Sequence, residues 1–193
     1  MSGTRTPPGT IRWHTFDTPL GRMYAAASER GLCRLSWHVR SPQAFEQELR
    51  TRFPGHRLRR DPHGLARVER EVRSFLEGHR HAFSVDLDLS ALSDFQRRVL
   101  EATRRVPFGE TSSYSELARR LRRPRAARAV GNALRANPVP LVIPCHRIVR
   151  ADGSLGGYSG IAAVNEKRRL LQHEAQASRP RSRTRKLDEH SCR

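Results

Sequence analysis

Apolar positions along this chain change their period twice. Met23 to Ala27 and Leu32 to Trp37 are strand-like runs flanking Glu29-Arg30-Gly31, and a glycine turn between two such runs predicts a β-hairpin. The period then turns helical. Ser41-Pro42 offers a capping hydroxyl followed by proline at the first helical position, and Phe45, Leu49 and Phe53 follow at helical spacing. Leu65, Val68, Val72, Phe75 and Leu76 trace a second helical stripe, closed by Gly78. Val85, Leu87 and Leu89 alternate with Asp86 and Asp88, the pattern of a half-buried strand. This half reads as an α+β structural unit with no chemical constellation of its own.

The second half is mostly helical. Ser93-Asp94-Phe95-Gln96 is a capping box, and Phe95, Val99, Ala102 and Val106 give one apolar face before Pro107 and Gly109 end the helix. Ser113-Tyr114-Ser115-Glu116 is a second capping box, opening a short helix through Leu121. Pro124 opens a third helix, Arg125 to Ala136, stopped by Asn137-Pro138. Two short helices joined by a tight turn suggest helix-turn-helix, although many such pairs bind nothing. In the third helix Ala126, Val130 and Leu134 share an inward face. Arg128, Asn132 and Arg135 face outward, with Ala127 and Gly131 beside them. A slim face of small residues with arginine and amide suits a DNA minor groove, only about 6 Å wide. An alanine-rich helix chosen for propensity would look the same.

Charge sharpens the choice of partner. The 193 residues, enough for one domain or two small ones, carry a formal net charge of +18. Lysine occurs only at Lys167 and Lys186, so the excess is almost all arginine. The tail from Gln176 to Arg193 holds six basic and two acidic residues, and the body keeps +14 without it. Such an excess points to a polyanion, most often nucleic acid; arginine-rich coding bias on a solvated surface is the bland alternative. No apolar run approaches the roughly 18 residues that span a bilayer. Met1 to Arg12 has no apolar core of a secretory signal, so a soluble, cytoplasmic protein is expected. Cys33, Cys145 and Cys192 are too few for a disulfide framework. His79 and His81 lack the neighbouring cysteines of a zinc site, so no metal is expected.

One segment carries chemistry: Asn137-Pro-Val-Pro-Leu-Val-Ile-Pro-Cys-His-Arg-Ile-Val149. A cysteine closing an apolar run is ordinarily an inert core residue. Here Pro144 fixes the backbone before Cys145, and His146 and Arg147 follow at once. A cysteine nucleophile needs a base or positive charge nearby. Neighbouring side chains on an extended strand point apart, so Cys145 and His146 can cooperate only if the chain turns there, or through a bridging water.

The wider string, Arg128-Ala-Val-Gly-Asn-Ala-Leu-Arg-Ala-Asn137-Pro, then Ile143-Pro-Cys-His-Arg147, then Gly157-Tyr158-Ser159-Gly160, resembles the O6-alkylguanine-DNA alkyltransferases. Pro107-Phe-Gly-Glu, Ser113-Tyr114 and Glu116-Leu-Ala match the same family, and Thr18-Pro-Leu-Gly21 looks like the start of its N-terminal domain. The resemblance is strong over residues 94–160, weaker over 11–93 and absent in the tail. It implies an α+β fold. A disordered lead (1–10) precedes a ribonuclease-H-like N-terminal domain (11–90). A C-terminal domain with a winged helix-turn-helix (91–175) and a basic, disordered tail (176–193) follow. The implied activity is irreversible transfer of an alkyl group from O6-alkylguanine in double-stranded DNA to Cys145, by a monomer without cofactor, bound through the minor groove.

The same resemblance implies the roles. His146 is similar to the water-bridged base and Glu174 to the group that orients it. Tyr114 is similar to the donor to the flipped guanine. Arg128 resembles the arginine that fills the vacated stack, on a helix whose DNA face includes Ala127, Gly131, Asn132 and Arg135. Asn137 resembles the hinge before the cysteine segment, and Ile148, Tyr158 and Ser159 would line the base. There are departures. Gly160-Ile161 stands where the family usually has Gly-Gly, and the span from Tyr158 to Glu174 is about two residues longer, so Glu166 or a water could replace Glu174. Leu100 stands where tryptophan is frequent. The alternatives are a DNA-binding relative that only marks lesions, against which Cys145 argues, and a cysteine hydrolase, for which no signature is seen.

Overall fold

The computed structural model describes residues 9–156 and 163–178. Four strands, β1 (Thr10–Thr18), β2 (Gly21–Ser28), β3 (Gly31–Ser36) and β4 (Arg57–Arg60), form one sheet in the order β3-β2-β1-β4. β2 pairs antiparallel with β1 and β3, whereas β4 runs parallel to β1. The parallel pairing follows from the connection, since a crossover helix, α1 (Pro42–Arg52), lies between β3 and β4. Ser41 caps α1 by accepting from the Ala44 N–H. β4 reads Arg-Leu-Arg-Arg, and charged side chains on an edge strand discourage pairing with another chain.

Both faces of the sheet are buried. Ile11, Trp13, Tyr24, Ala26 and Cys33 pack with Phe45 and Leu49 of α1. Phe16, Met23, Ala25, Ala27, Leu32 and Leu35 face the main core, joined by Leu65, Val72 and Phe75 of α2 (Pro62–Leu76). Strict alternation along β1 and β2 thus serves two cores at once. A register irregularity at Ala26/Ala27 accompanies the presence of Leu32 and Leu35, three apart, in the same core. The expected strand at Val85, Leu87 and Leu89 is corrected: the segment is extended but makes only an isolated parallel bridge, Leu87 to Leu32. Asp86 and Asp88 face solvent or serine hydroxyls there rather than a further strand.

The second half packs α3 (Asp94–Arg104), α4 (Tyr114–Arg120), α5 (Ala127–Arg135) and α6 (Ala163–Ala177) around a two-stranded parallel ribbon, β5 (Ser112–Ser113) and β6 (Ile148–Val149). Both expected capping boxes are present, Ser93 with Gln96 and Ser113 with Glu116. α5 begins later than expected, at Ala127, and has no capping side chain. Arg122 has φ of 57° and turns the chain between α4 and α5. Val130, Ala133 and Leu134 bury the inner face of α5 against α3 and α4, while Arg128, Asn132 and Arg135 remain exposed.

Candidate functional site

The chain turns at the cysteine. Cys145–Arg147 form a single 3₁₀ turn, with the Arg147 N–H donating to the Pro144 carbonyl at 2.9 Å. The turn is reached through a tight loop in which Leu141 has φ of 72°, a conformation costly for a branched residue and held by its burial. The loop brings Asn137 back beside the cysteine. Its Nδ2 donates to the Ile143 carbonyl at 2.9 Å and to Cys145 Sγ at 3.2 Å, while its Oδ1 accepts from the Val139 N–H at 3.0 Å. Asn137 therefore ties the end of α5 to the cysteine turn.

Cys145 is buried yet lines a cavity of about 470 Å³. The opposite wall is the outward face of α5, Ala127, Arg128, Gly131, Asn132 and Arg135, and Tyr114 closes one side. Seven residues singled out in the sequence thus share one cavity. Arg150 and Gly156, which were not, line it too. Arg128 is exposed and has no ion-pair partner among the described residues. Burial raises the Tyr114 pKa, helped by the Cys145 thiolate and opposed by Arg150 and Arg135. The phenol consequently keeps its proton as a donor.

Behind the cysteine lies a buried polar cluster. His146 Nε2 is 2.7 Å from Glu174 Oε1. Arg147 Nε donates to Oε1 and Oε2 of Glu174 at 3.1 and 2.9 Å, and its Nη2 to Oε1 at 2.9 Å. The Gly109 N–H donates to Oε2 at 2.9 Å. Burial alone would raise the Glu174 pKa, but the hydrogen bonds and charges of His146 and Arg147 hold it at about 2. A carboxylate only accepts, so His146 carries its hydrogen on Nε2 and leaves Nδ1 as a base. Nδ1 is buried with no hydrogen-bond partner among the described residues. Burial lowers the His146 pKa, Glu174 opposes this, and Arg147 and Lys167 add to it. The neutral imidazole is the stable form.

α6 places these groups. Lys167, Leu170 and Glu174, at i, i+3 and i+7, are all buried on its inner face. Lys167 donates to the Ile148 carbonyl, and its Nζ lies 5.7 Å from the Tyr114 ring centroid. Burial lowers its pKa to about 8, against the pull of Cys145. Glu166 points elsewhere, to His38 at 2.9 Å, so it does not replace Glu174. Ile148 is buried beneath the site, and Tyr158 and Ser159 lie outside the described residues.

Residues 94–176 match the DNA binding domain of 6-O-methylguanine DNA methyltransferase, and residues 11–89 match its ribonuclease-like domain. The chain belongs to the 6-O-methylguanine DNA methyltransferase family. Among its relatives, the inducible methylated-DNA–protein-cysteine methyltransferase of Bacillus subtilis is 35% identical, the match covering 88% of this chain and 93% of that protein. The methylated-DNA–protein-cysteine methyltransferase of Mus musculus is 37% identical over 85% of this chain and 81% of its own length. The crystal structure of Mycobacterium tuberculosis OGT in complex with DNA superposes with a TM-score of 0.72 at 34% identity, covering 86% of this chain and 94% of that one.

Within this methyltransferase, sequence reasoning missed two residues that the structure brings to the site, Arg147 in the polar cluster and Lys167 beside the Tyr114 ring. Each carried a signal. Arg147 is a charge inside an apolar segment, which demands a buried partner. Lys167 is one of only two lysines in an arginine-rich chain. Cys33 behaves as expected of a structural thiol. It is buried, it donates to the Ala26 carbonyl at 3.3 Å, and burial pushes its pKa up to about 12.

Proposed function

We propose that this chain repairs DNA by moving an alkyl group from O6 of guanine to Cys145, irreversibly and once per molecule. The observation that carries this reading is the position of Cys145. It lines a cavity walled by the outward face of α5, and the next residue in the turn, His146, is paired with Glu174.

The chemistry follows from the groups present. The Cys145 proton passes to His146 Nδ1, directly or through a water, and Glu174 stabilises the imidazolium that forms. The thiolate attacks the alkyl carbon. A carbon–sulfur bond forms, the carbon–oxygen bond breaks, and the electron pair stays on the guanine. The Tyr114 hydroxyl compensates that charge by donating to the base, and Asn137 Nδ2 steadies the sulfur. The thioether product has no good leaving group, so the protein is consumed.

A base stacked in a duplex cannot reach this sulfur, so it must be flipped at a cost of a few kcal/mol. Arg128 is the residue we assign to the vacated stack. The slim surface of Ala127 and Gly131 would lie in the minor groove, with α4 and α5 as the helix-turn-helix and the β5–β6 ribbon in the place of a wing. The surrounding arginines would neutralise phosphates and make affinity salt-dependent. We read residues 11–90 as the structural domain, 91–175 as the reacting one, and the active species as a monomer.

Intact mass after incubation with duplex DNA bearing O6-methylguanine tests the reading. One added methyl group is expected, and none on Cys145→Ala. No gain, or an equal gain on Cys145→Ala, would reject it.

A further inference from the structure

We propose that Arg147 is a positioning residue that acts through Glu174, occupying the carboxylate so that it orients His146 without holding the ring as a permanent imidazolium. This rests on the reading of Cys145 and His146 as nucleophile and base.

The geometry separates the two claims on the carboxylate. His146 reaches Oε1 alone, at 2.7 Å. Arg147 spans both oxygens through Nε and returns to Oε1 through Nη2. Its Nη1 donates to the Val106 carbonyl at 2.7 Å, and its guanidinium lies 5.6 Å from the Phe108 ring centroid. Gly109 adds a backbone donor to Oε2. Arg147 therefore ties Glu174 to the turn that follows α3, and the planar fork fixes the carboxylate in orientation as well as in place.

Charge counting gives the chemical consequence. Glu174 and Lys167 from α6, and Arg147 from its own turn, act on the imidazole, and Cys145 is its neighbour in that turn. The turn after α3 contributes backbone groups of Val106 and Gly109 to the cluster. With Arg147 present, the Glu174 charge is already matched, and a protonated His146 is a surplus buried cation. Without Arg147, a protonated His146 would pair with Glu174 as a neutral unit. Removing the guanidinium must strengthen proton binding by the coupled Cys145–His146 pair, however the protons divide between the two groups.

The test reads the thiol itself and needs no DNA. The rate of Cys145 alkylation by iodoacetamide is followed against pH in the full chain, by peptide mapping, for the wild type, Arg147→Lys, Arg147→Met, Glu174→Gln and Arg147→Met/Glu174→Gln. The acid limb of Arg147→Met should move up by about one pH unit, while Arg147→Lys stays with the wild type. The double variant, which removes both charges, should return close to the wild-type limb. A merely structural role would lower reactivity alike at every pH and leave the limb in place; that result overturns the proposal, as does a double variant shifted as far as Arg147→Met. If Arg147→Met does not fold, Glu174→Gln and the double variant carry the test. Losing Arg147 from Glu174→Gln must raise the limb, and an unmoved limb overturns the proposal. Failure to accept a methyl group from DNA would sink the repair reading while leaving this profile intact.

Discussion

Glu174 stands 28 residues beyond His146 in the chain, yet its carboxylate is 2.7 Å from the imidazole. Neither residue reaches solvent. The contact assigns the hydrogen to Nε2 and frees Nδ1, so in the proposed reaction the base is set by a residue that does not line the cavity. Glu174→Gln can hold the ring by a weaker bond but cannot stabilise its protonated form. General bases contribute about 10²–10⁴-fold, and loss of the orienting charge alone should slow methyl transfer by about 10–100-fold. Single-turnover transfer from O6-methylguanine duplex measures this on folded protein. An unchanged rate would reassign the role.

Acid should destabilise the fold in two steps, both set by this pair. The imidazole has its pKa lowered in the folded state by burial, so the unfolded chain binds that proton more readily. Stability is lost as pH falls below about 6.5, the free histidine value. Glu174 also has a lowered folded pKa, about 2 against an ordinary 4.5. Its contribution is fully present above 4.5 and lost as pH falls toward 2. Urea midpoints taken from pH 7 to pH 2.5 should show both steps, and Glu174→Gln should flatten the lower one. A lower step of equal size in that variant would place the acid sensitivity elsewhere.

Local chemistry made much of this fold legible. Capping needs only neighbours in sequence, so Ser41, Ser93 and Ser113 marked three helix starts that the structure shows. β1 and β4 were not legible. In β1 the two sides of the strand feed different cores, Ile11 and Trp13 one and Phe16 the other, which blurs the polar–apolar alternation. β4 has a single leucine among arginines and is a strand only because β1 lies beside it. Over Val85 to Leu89 the reverse holds: the alternation is genuine, but only Leu87 finds a bridging partner. In the site, seven cavity-lining residues were readable because they sit in contiguous motifs, whereas Arg150 and Gly156, on the segment after β6, were not. The Arg147–Glu174 clamp was not, because it joins a turn to a helix far along the chain.

Arg128 lies on the exposed face of α5 and lines the cavity, and it takes no part in the polar cluster of His146, Arg147 and Glu174. Arg128→Ala should therefore leave the chemistry alone and impair only the step that brings the base out of the stack. Transfer from duplex O6-methylguanine should fall about tenfold or more, the equivalent of some 1.4 kcal/mol in the flipping equilibrium. Transfer from the free modified base should stay within about twofold of wild type. The ratio of the two rates is the measurement; equal slowing on both substrates would count against a role in extrusion.

Gly156 tests how tightly the cavity is built around Tyr114. Its φ of 65° is a left-handed conformation that costs a residue with a side chain about 1–2 kcal/mol. A Cβ there would sit 3.2 Å from both Cε2 and the hydroxyl oxygen of Tyr114, and 3.4 Å from Cγ of Arg150. The ring can give way only by moving into the cavity that it lines. Gly156→Ala should therefore lower the thermal midpoint modestly and narrow the space for the alkyl group. Free O6-benzylguanine should lose far more of its transfer rate than O6-methylguanine presented in duplex DNA, because the larger group needs the space the ring takes. Comparing the two rates in wild type and variant settles it. A proportional fall for both substrates would mean that the added methyl group strains the backbone without reshaping the cavity.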